Sequence, residues 1–465
     1  MEFVESDSQR VFILRGYAGT GKTTITRLIV DRLRQKELQF HICASTGRAA
    51  KVVSNATGHP ATTVHSLLYE FNGFNQDPGK VFRSEQSGLS DYGQLYICFQ
   101  MAKLPQDSPR QIYIIDESSM ISDCLSPETS IQQAKFGSGR LLSDLLSYDP
   151  NGKFLFIGDN CQLPPVGQKI SPALSVEYFR SEFRIEAGEA ILTDIMRQKC
   201  DSDIVYLSAE IRKLYQTAPL YKSFYTRNTW TKLPWHGYRD IQFLPGRDAL
   251  ISAYISRIAN GGYNCATLIT SSNSKCNELA AMVRPRMGFS GSLCVGDLLL
   301  VTQNNVCGLM NGDLVRVVEI GSQEMMARLT FLSVSVESIT TGNRYSSCLI
   351  HEILIGKFAN LTGEQQRELY ANFFVRNSGL APGLHHDKRT LLDLMMKDPY
   401  LNALRCVYGY ALTCHKAQGG EWDEIFIDPA RNITMSPTKS EYQWIYTSMT
   451  RAKKTIHLAD DFFYR

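Results

Sequence analysis

The chain has 465 residues, of which 43% are hydrophobic and 20% are charged, and its net charge is +3 at neutral pH. This composition is ordinary for a soluble globular protein, and the length allows two to four domains with separate cores. The small net charge excludes a chain that is basic throughout, so any basic surface must be local.

Twelve cysteines are spread along the chain, and none of them forms a C-x-x-C pair. This spacing argues against a zinc knuckle or an iron–sulfur cluster, and many unpaired thiols suit a reducing compartment. No apolar run approaches the roughly 18 residues that span a bilayer, and the N-terminus lacks a basic-then-apolar signal pattern. We therefore expect a cytoplasmic protein without membrane contact, associated with the nucleoid if its source is bacterial.

The first predicted element is a phosphate-binding loop that follows a short buried strand. The apolar run Val11–Leu14 leads into Gly16–Thr23, which has the pattern G-x-x-x-x-G-K-T, and a helical pattern follows. Strand, loop and helix in this order let backbone N–H groups and the helix N-terminus converge on phosphate oxygens. The loop predicts a nucleoside triphosphate site rather than an ordinary glycine-rich turn. The residues predicted to bind the nucleotide here are Gly16, Ala18, Gly19, Thr20, Gly21, Lys22, Thr23 and Thr24.

A second buried strand, Gln111–Ile115, ends in Asp116 and Glu117. Because the carboxyl ends of parallel strands face one crevice, both carboxylates are expected beside the phosphate-binding loop. Lys22 would reach the β- and γ-phosphates, while the Thr23 hydroxyl and Asp116 would hold Mg²⁺. Glu117 is placed to orient or deprotonate the attacking water. The alternative is that the two acidic residues merely begin a surface loop.

A third buried strand, Lys153–Ile157, ends in the loop Gly158–Gly167, which contains two adjacent prolines. Proline cannot continue a helix or a sheet, so this loop is expected to be rigid and to lie at the same edge of the sheet. Gln162 would hydrogen-bond the γ-phosphate or the attacking water and report hydrolysis to whatever the loop touches. The alternative, which the two prolines alone favour, is a stiffened turn without chemistry.

These motifs, and others along the chain, resemble those of superfamily 1 helicases of the B class, the RecD/Dda-like 5′-to-3′ DNA helicases. Asp116–Met120 and Gly158–Gly167 resemble motifs II and III of that family. Further segments follow in the family's order: Ala44–Ala50 resembles motif Ia, Thr63–Leu68 the element after it, Leu192–Gln198 motif IV, Tyr410–Glu421 motif V and Tyr446–Ala452 motif VI. The resemblance extends along nearly the whole chain.

The resemblance implies further site residues. Arg197 and Arg451 would be arginine fingers that neutralise charge on the γ-phosphoryl group, although a surface or salt-bridged arginine is the alternative for each. Gln418, Gly419 and Glu421 would bind the nucleotide and couple it to the DNA track. Single-stranded DNA would be contacted by Thr46, His65, Ser66, Asn273, Thr413 and His415. For the two histidines the alternative is a satisfied core residue.

The alternation of strands and helices predicts an α/β protein with two RecA-like motor domains, each built on a doubly wound parallel sheet. We assign residues 1–66 and 108–190 to the first motor domain, 1A, which would bind ATP. Residues 191–312 and 403–465 form the second motor domain, 2A.

Each motor domain is predicted to carry a small inserted subdomain. Residues 67–107 form insert 1B, in which Phe71, Phe74 or Phe82 would supply a strand-separating pin, or else a small core of the insert itself. Residues 313–402 form insert 2B, whose β-rich start resembles the SH3-like insert of the family.

The recognition of adenine departs from the family pattern. Family members usually carry a glutamine well upstream of the loop lysine, in a helix ahead of the first strand. Gln9 is the upstream glutamine here, but it lies too close to Lys22 and no helical pattern precedes it. Either the chain begins late or adenine is held differently.

The sequence thus predicts a DNA-dependent ATPase that uses ATP and Mg²⁺. It would be a monomeric translocase moving 5′ to 3′ on single-stranded DNA and at junctions with duplex, which it would unwind; the direction rests on the resemblance alone. The alternative is a switch or motor subunit of a larger nuclease or recombination complex without unwinding of its own. A single-strand-binding protein or a nuclease would be a fitting partner, and an RNA helicase is a third option.

Overall fold

The computed structural model describes residues 2–6, 9–76, 95–105, 109–125, 134–193, 202–220, 237–377, 388–429 and 438–460. In chain order the strands are β1 (Val11–Gly16), β2 (Phe40–Ala44), β3 (Ala61–Thr63), β4 (Tyr69–Phe74), β5 (Ile97–Met101), β6 (Ile112–Asp116), β7 (Ala134–Phe136), β8 (Lys153–Gly158), β9 (Ala187–Leu192), β10 (Ile241–Leu244), β11 (Ala266–Thr270), β12 (Leu298–Val301), β13 (Leu314–Met326), β14 (Leu329–Ser338), β15 (Arg344–Ile350), β16 (Cys406–Tyr408), β17 (Ala411–Thr413), β18 (Trp422–Asp428) and β19 (Ala452–Ala459).

The α-helices are α1 (Glu2–Glu5), α2 (Lys22–Gln35), α3 (Gly47–Thr57), α4 (Val64–Leu68), α5 (Leu141–Tyr148), α6 (Val176–Tyr178), α7 (Asp203–Thr217), α8 (Arg247–Gly261), α9 (Asn273–Arg286), α10 (His351–Ile355), α11 (Gly363–Arg376), α12 (Lys388–Lys397), α13 (Cys414–Ala417) and α14 (Lys439–Met449). Short 3₁₀ helices lie at Ser118–Met120 and Pro172–Leu174, and a π-helical turn lies at Phe179–Phe183. Among the described helices, none is both long enough and apolar enough to cross a bilayer.

The first motor domain is built on a six-stranded parallel sheet in the order β3-β2-β6-β8-β1-β9. Its central strands are unbroken apolar runs because helices cover both faces, and β8 is buried along its whole length. Val30 of α2 and Val53 of α3 pack on one face, while Leu142 and Leu145 of α5 pack on the other. β9 continues to Leu192, past the limit predicted at residue 190.

The second motor domain is built on a five-stranded parallel sheet in the order β10-β19-β18-β11-β17. Leu268, Phe426 and Ile456 from three of these strands belong to one large core with the surrounding helices. The predicted α/β fold with two RecA-like parallel-sheet domains is therefore confirmed.

The sheet of the first insert includes a strand from outside the predicted limits. β4 and β5 pair antiparallel, and β7 joins β5 in parallel. β7 comprises Ala134–Phe136, which falls within the residues assigned to 1A rather than within 67–107. The correction arises because a three-residue strand is too short to show periodicity in the sequence.

The sheet of the second insert is also wider than predicted. Its five antiparallel strands, in the order β15-β14-β13-β12-β16, run from Leu298 to Tyr408 rather than from 313 to 402. All four residues of β12 are apolar and buried. Such a run is typical of a parallel strand, so the sequence pattern placed it in the motor domain.

The described pin candidates lie in apolar contacts instead of at a free tip. Phe71 packs edge-on against Phe99 of the same insert, at 6.2 Å between ring centroids. Phe74 lies 5.0 Å from Tyr370 and 6.0 Å from Phe374, both on α11 of the second insert. Phe82 lies outside the described residues. The two aromatics therefore favour the small-core interpretation, extended to a contact between the two inserts.

Candidate active site

The phosphate-binding loop closes around its own lysine. Gly19 and Gly21 both have φ of 81°, a left-handed conformation that favours glycine. Lys22 Nζ donates to the carbonyl oxygens of Gly16 at 2.8 Å and Tyr17 at 3.1 Å. A Cβ at Gly16 would lie 2.9 Å from Lys22 Cγ, so glycine makes room for the folded-back lysine. The ammonium group is thus held by neutral carbonyls, which phosphate oxygens can displace.

Asp116 and Glu117 follow β6 at the carboxyl edge of the first sheet. Asp116 Oδ1 accepts a hydrogen bond from Glu117 N at 2.9 Å. Burial raises the pKa of Asp116 to about 6, and the Glu117 charge adds to the rise. Glu117 has φ of 50°, a left-handed conformation that costs a non-glycine residue about 1–3 kcal/mol. Its side chain lines the nucleotide cleft, and Oε2 is buried without a hydrogen-bond partner among the described residues.

Thr23 and Asp116 suit a magnesium ion that is shared with a nucleotide. Both side chains line the same cavity, and Thr23 is exposed to it. Within the described ranges, no group of three or more His, Cys, Asp or Glu side chains could hold a metal alone. Mg²⁺ usually takes one or two protein ligands and completes its shell with phosphate oxygens and water, so this small donor set fits it.

A cleft of about 310 Å³ lies between the two motor domains. Its walls include Tyr17, Ala18, Gly19, Gly21, Lys22, Thr23, Thr24, Glu117 and Gln162 from the first domain and Glu421, Thr450 and Arg451 from the second. Gln162 is 2% exposed, and its Oε1 has no partner among the described residues. Arg197, the other predicted arginine finger, lies outside the described residues. The structure therefore brings Arg451 to the phosphate-binding loop from the other end of the chain.

Arg451 is oriented by neutral oxygens of its own domain. Its Nε donates to the Thr447 carbonyl at 3.1 Å, and its Nη2 donates to Thr450 Oγ1 at the same distance. Its Nη1 donates to the Gly420 carbonyl at 3.4 Å. The side chain is buried, so its charge is held in place at the cleft wall.

Tyr446 joins the second domain to two loops of the first. Its hydroxyl donates to Asp159 Oδ2 at 2.7 Å and accepts from Ala18 N at 3.0 Å. Burial raises the pKa of Tyr446, and Asp159 raises it further, so the phenol stays protonated and can donate. Tyr446 lies inside α14, whose last residue is Met449.

Three more side chains of the second domain hold the loop after β8. Thr447 Oγ1 accepts from Leu163 N at 2.9 Å, and Gln418 Nε2 donates to the Leu163 carbonyl at 3.3 Å. Gln443 Nε2 donates to the Asn160 carbonyl at 3.1 Å. Gln418, predicted to bind the nucleotide, is 4% exposed, and its amide nitrogen binds this loop.

Of the other residues predicted to contact the nucleotide, some stabilise the loop and others line a cavity. Thr20 is buried, and its hydroxyl donates to the Tyr17 carbonyl at 2.8 Å, so it shapes the loop. Thr24 is exposed on the cleft wall. Gly419 has φ of 74° and lines an adjoining groove instead of the cleft itself.

This groove has a volume of about 770 Å³ and extends from the nucleotide cleft along α3 towards the second insert. Cleft and groove share Thr23, Glu117, Glu421 and Arg451. Farther along, its polar side chains are mostly hydroxyls and amides: Ser54, Asn55, Thr62, Thr63, Ser66, Asn304, Ser338, Thr340 and Thr341. The nucleotide site is thus continuous with a polar channel.

The hydroxyl residues predicted to contact DNA lie where strands end. Thr46 follows β2 and caps α3, its Oγ1 accepting from Ala49 N at 3.2 Å. Thr413 caps α13 in the same way. Ser66 lines the groove and shares a reciprocal cap with Thr63. These hydroxyls already have local partners, and only Ser66 among them lines the groove.

The remaining predicted DNA contacts are scattered. His65 is exposed, with its ring edge-on to Phe136 at 5.2 Å between centroids. Asn273 begins α9 and faces a separate small cavity. His415 is half-buried and interacts with the backbone of Pro164, and burial lowers its pKa. His415 therefore reaches the loop after β8.

Sequence reasoning did not assign roles to Tyr446, Thr447 or Gln443, which form much of the contact between domains. Tyr446 and Thr447 belong to the segment that resembles motif VI, which was the available signal. Which faces of α14 meet the first domain depends on how the domains pack, and no pattern within one helix contains that information.

Comparisons with known proteins follow the same division of the chain. The model of an AAA domain matches residues 1–220, and the model of a UvrD-like helicase C-terminal domain matches residues 408–459. The ATP-dependent RecD2 DNA helicase of Deinococcus radiodurans is 29% identical over 198 residues, which is 42% of this chain and 21% of that protein. The ATP-dependent DNA helicase dda of Enterobacteria phage T4 is 24% identical over 201 residues, covering 43% of this chain and 37% of that one.

The chain therefore matches about a fifth of the length of RecD2 and just over a third of that of dda. A Pif1 helicase from Bacteroides, solved with ADP-AlF3 and ssDNA, superposes with a TM-score of 0.47 at 17% identity, covering 99% of this chain and 91% of that chain. The ordered motifs, the two family models and the two matched helicases agree. They make the chain similar to DNA helicases of the RecD/Dda-like class of superfamily 1.

Proposed function

We propose that this chain is an ATP-driven DNA helicase. It hydrolyses ATP between its motor domains, moves 5′ to 3′ along single-stranded DNA and separates the duplex ahead. The observation that carries the proposal is the shared cleft, because Lys22 of one domain and Arg451 of the other line the same cavity. A site divided in this way can respond to the relative position of the domains, as a motor requires.

Each side chain has a defined part in hydrolysis. Lys22 exchanges its loop carbonyls for the β- and γ-phosphate oxygens. Glu117, with its free buried oxygen, orients the attacking water and accepts its proton. Arg451 neutralises the charge that grows on the γ-phosphoryl oxygens. Thr23 and Asp116 would hold Mg²⁺, which supplies further neutralisation of the phosphates when bound.

The DNA track is proposed to run along the groove and over the carboxyl edges of the sheets. Single strands are held by backbone contacts with hydroxyls and amides, supplemented by aromatic faces. The groove offers such groups on both sides, for example Thr62 and Ser66 opposite Asn304 and Thr340. Because this groove opens from the nucleotide cleft, a change in domain closure alters both spaces together.

The test is the rate of ATP hydrolysis with and without single-stranded DNA. A motor is expected to be stimulated many-fold, whereas a switch subunit of a larger complex is not. Arg451→Ala should lower the stimulated rate by at least about 100-fold, since arginine fingers contribute 10³ or more. Near-normal turnover in that variant would remove Arg451 from the mechanism.

Direction is tested separately with partial duplexes that carry one single-stranded tail. We expect unwinding of a 5′-tailed substrate by the protein alone. Unwinding of only the 3′-tailed substrate would reverse the proposed polarity, and equal activity on RNA tails would widen the substrate class.

A further inference from the structure

Arg48 is a half-buried arginine of the first motor domain that lies against the second. It is the second residue of α3, and its guanidinium carbon lies 4.9 Å from the ring centroid of Trp422, the first residue of β18. A planar guanidinium on an indole face is a favourable cation–π arrangement. The stack therefore bridges the two domains beside the nucleotide cleft.

Gly420 connects this stack to Arg451. A Cβ at Gly420 would lie 2.7 Å from Arg48 Cζ and 2.5 Å from Trp422 Cη2, so the residue must be glycine for the stack to form. The carbonyl of the same Gly420 accepts from Arg451 Nη1 at 3.4 Å. One peptide group is thus packed by one arginine and hydrogen-bonded by the other.

The surroundings of Arg48 indicate that it does more than fill space. Its Nη1 is buried without an acceptor among the described residues, and the side chain lines the groove that opens from the cleft. Burial lowers the pKa of Arg48, Asp313 opposes this, and the charge of Arg451 lowers it further. Two arginines close together, one with an unpaired donor, are unfavourable unless an anion is expected nearby. The groove that Arg48 lines opens from the nucleotide cleft, where the proposed function places the phosphates.

We propose that Arg48 is a positioning residue for Arg451: by stacking on Trp422 and packing against Gly420, it fixes the carbonyl that orients Arg451 at the cleft. Arg451 would then be aligned for hydrolysis only when α3 of the first domain is docked on the second. This inference rests on the proposed ATPase function. It adds a residue of the first domain to the control of the arginine supplied by the second.

The test compares Arg48→Ala, Arg48→Lys and Trp422→Leu with Arg32→Ala, an exposed arginine on α2 that serves as the control. Melting temperature and ADP affinity report that each variant is folded and that the phosphate-binding loop is intact. We expect the DNA-stimulated kcat to fall by at least about tenfold in the three site variants, with KM for ATP changed less than about threefold. Lysine should not rescue, because it keeps the charge but not the planar stack.

A double-mutant cycle separates this inference from the proposed function. If Arg48 acts through Arg451, Arg48→Ala should change kcat by less than about twofold in the Arg451→Ala background. Multiplicative losses, full activity of Arg48→Ala or full activity of Arg48→Lys would overturn the inference while leaving the helicase proposal standing. Absence of DNA-stimulated hydrolysis by the unsubstituted protein would instead contradict the proposed function.

Discussion

Replacing Tyr446 by phenylalanine removes one oxygen that both domains use. The substitution keeps the ring in the core but leaves Asp159 Oδ2 and the Ala18 N–H without their hydroxyl partner. A hydrogen bond to a charged group contributes about 1.5–3 kcal/mol and a neutral one about 0.5–1.5 kcal/mol. The expected loss is therefore about 2–4 kcal/mol, or roughly 30-fold or more in an equilibrium constant.

This loss should weaken the docking of the domains, because Tyr446 belongs to the second domain and both of its partners belong to the first. Tyr446→Phe is expected to bind ADP nearly normally, since Lys22 and the loop glycines are unchanged. Its DNA-stimulated kcat should fall by at least about tenfold, because Arg451 faces the phosphates only when the domains are apposed. Tyr345→Phe, on β15 of the second insert, is the matched control. Hydrolysis and urea unfolding indistinguishable from wild type would refute the reasoning.

Two further predictions concern the charge in the cleft and a buried ion pair. Lys22→Ala should lower ATP hydrolysis by at least about 100-fold, because no other loop side chain can supply the charge, and steady-state assays would detect any residual turnover. Arg284→Ala should cost about 3–5 kcal/mol in urea unfolding, because Asp297 is fully buried and pairs with Arg284 at 2.8 Å. Arg286→Ala removes an exposed pair with Asp248 and should cost less than about 1 kcal/mol, so equal losses would contradict the burial argument.

The residues around the phosphate-binding loop could be predicted from the sequence because the motifs that define them are short and continuous. The pattern Gly16–Thr23 requires a strand before it and a helix after it, and the neighbouring residues show the sequence patterns of both. Asp116 and Gln162 follow apolar runs that form parallel strands. Because parallel strands share their direction, their carboxyl ends lie at the same edge of the sheet. The sequence therefore predicted these positions without any knowledge of how the domains pack.

The contacts between the two domains could not be predicted from the sequence in the same way. Tyr446 and Gln443 lie on one helix, yet their partners are about 280 residues earlier in the chain. Gln418 looked like a nucleotide ligand because it sits in a motif, but its amide binds the carbonyl of Leu163. The strand β12 was misplaced for a related reason, since an apolar run records burial and not the direction of its neighbours.

The loop after β8 connects the nucleotide cleft to the second domain by a route separate from Arg451. Gln162 lines the cleft, while the next residue, Leu163, has both its N–H and its carbonyl bound by the second domain. A shift of Gln162 towards the γ-phosphate must therefore move a peptide group that Thr447 and Gln418 hold. Among the described residues, the phosphate-binding loop has one comparable hydrogen bond to the second domain, from Ala18 N to the Tyr446 hydroxyl. Besides its direct effect on Arg451, hydrolysis is accordingly expected to reach the second domain through the loop after β8, across one residue of chain.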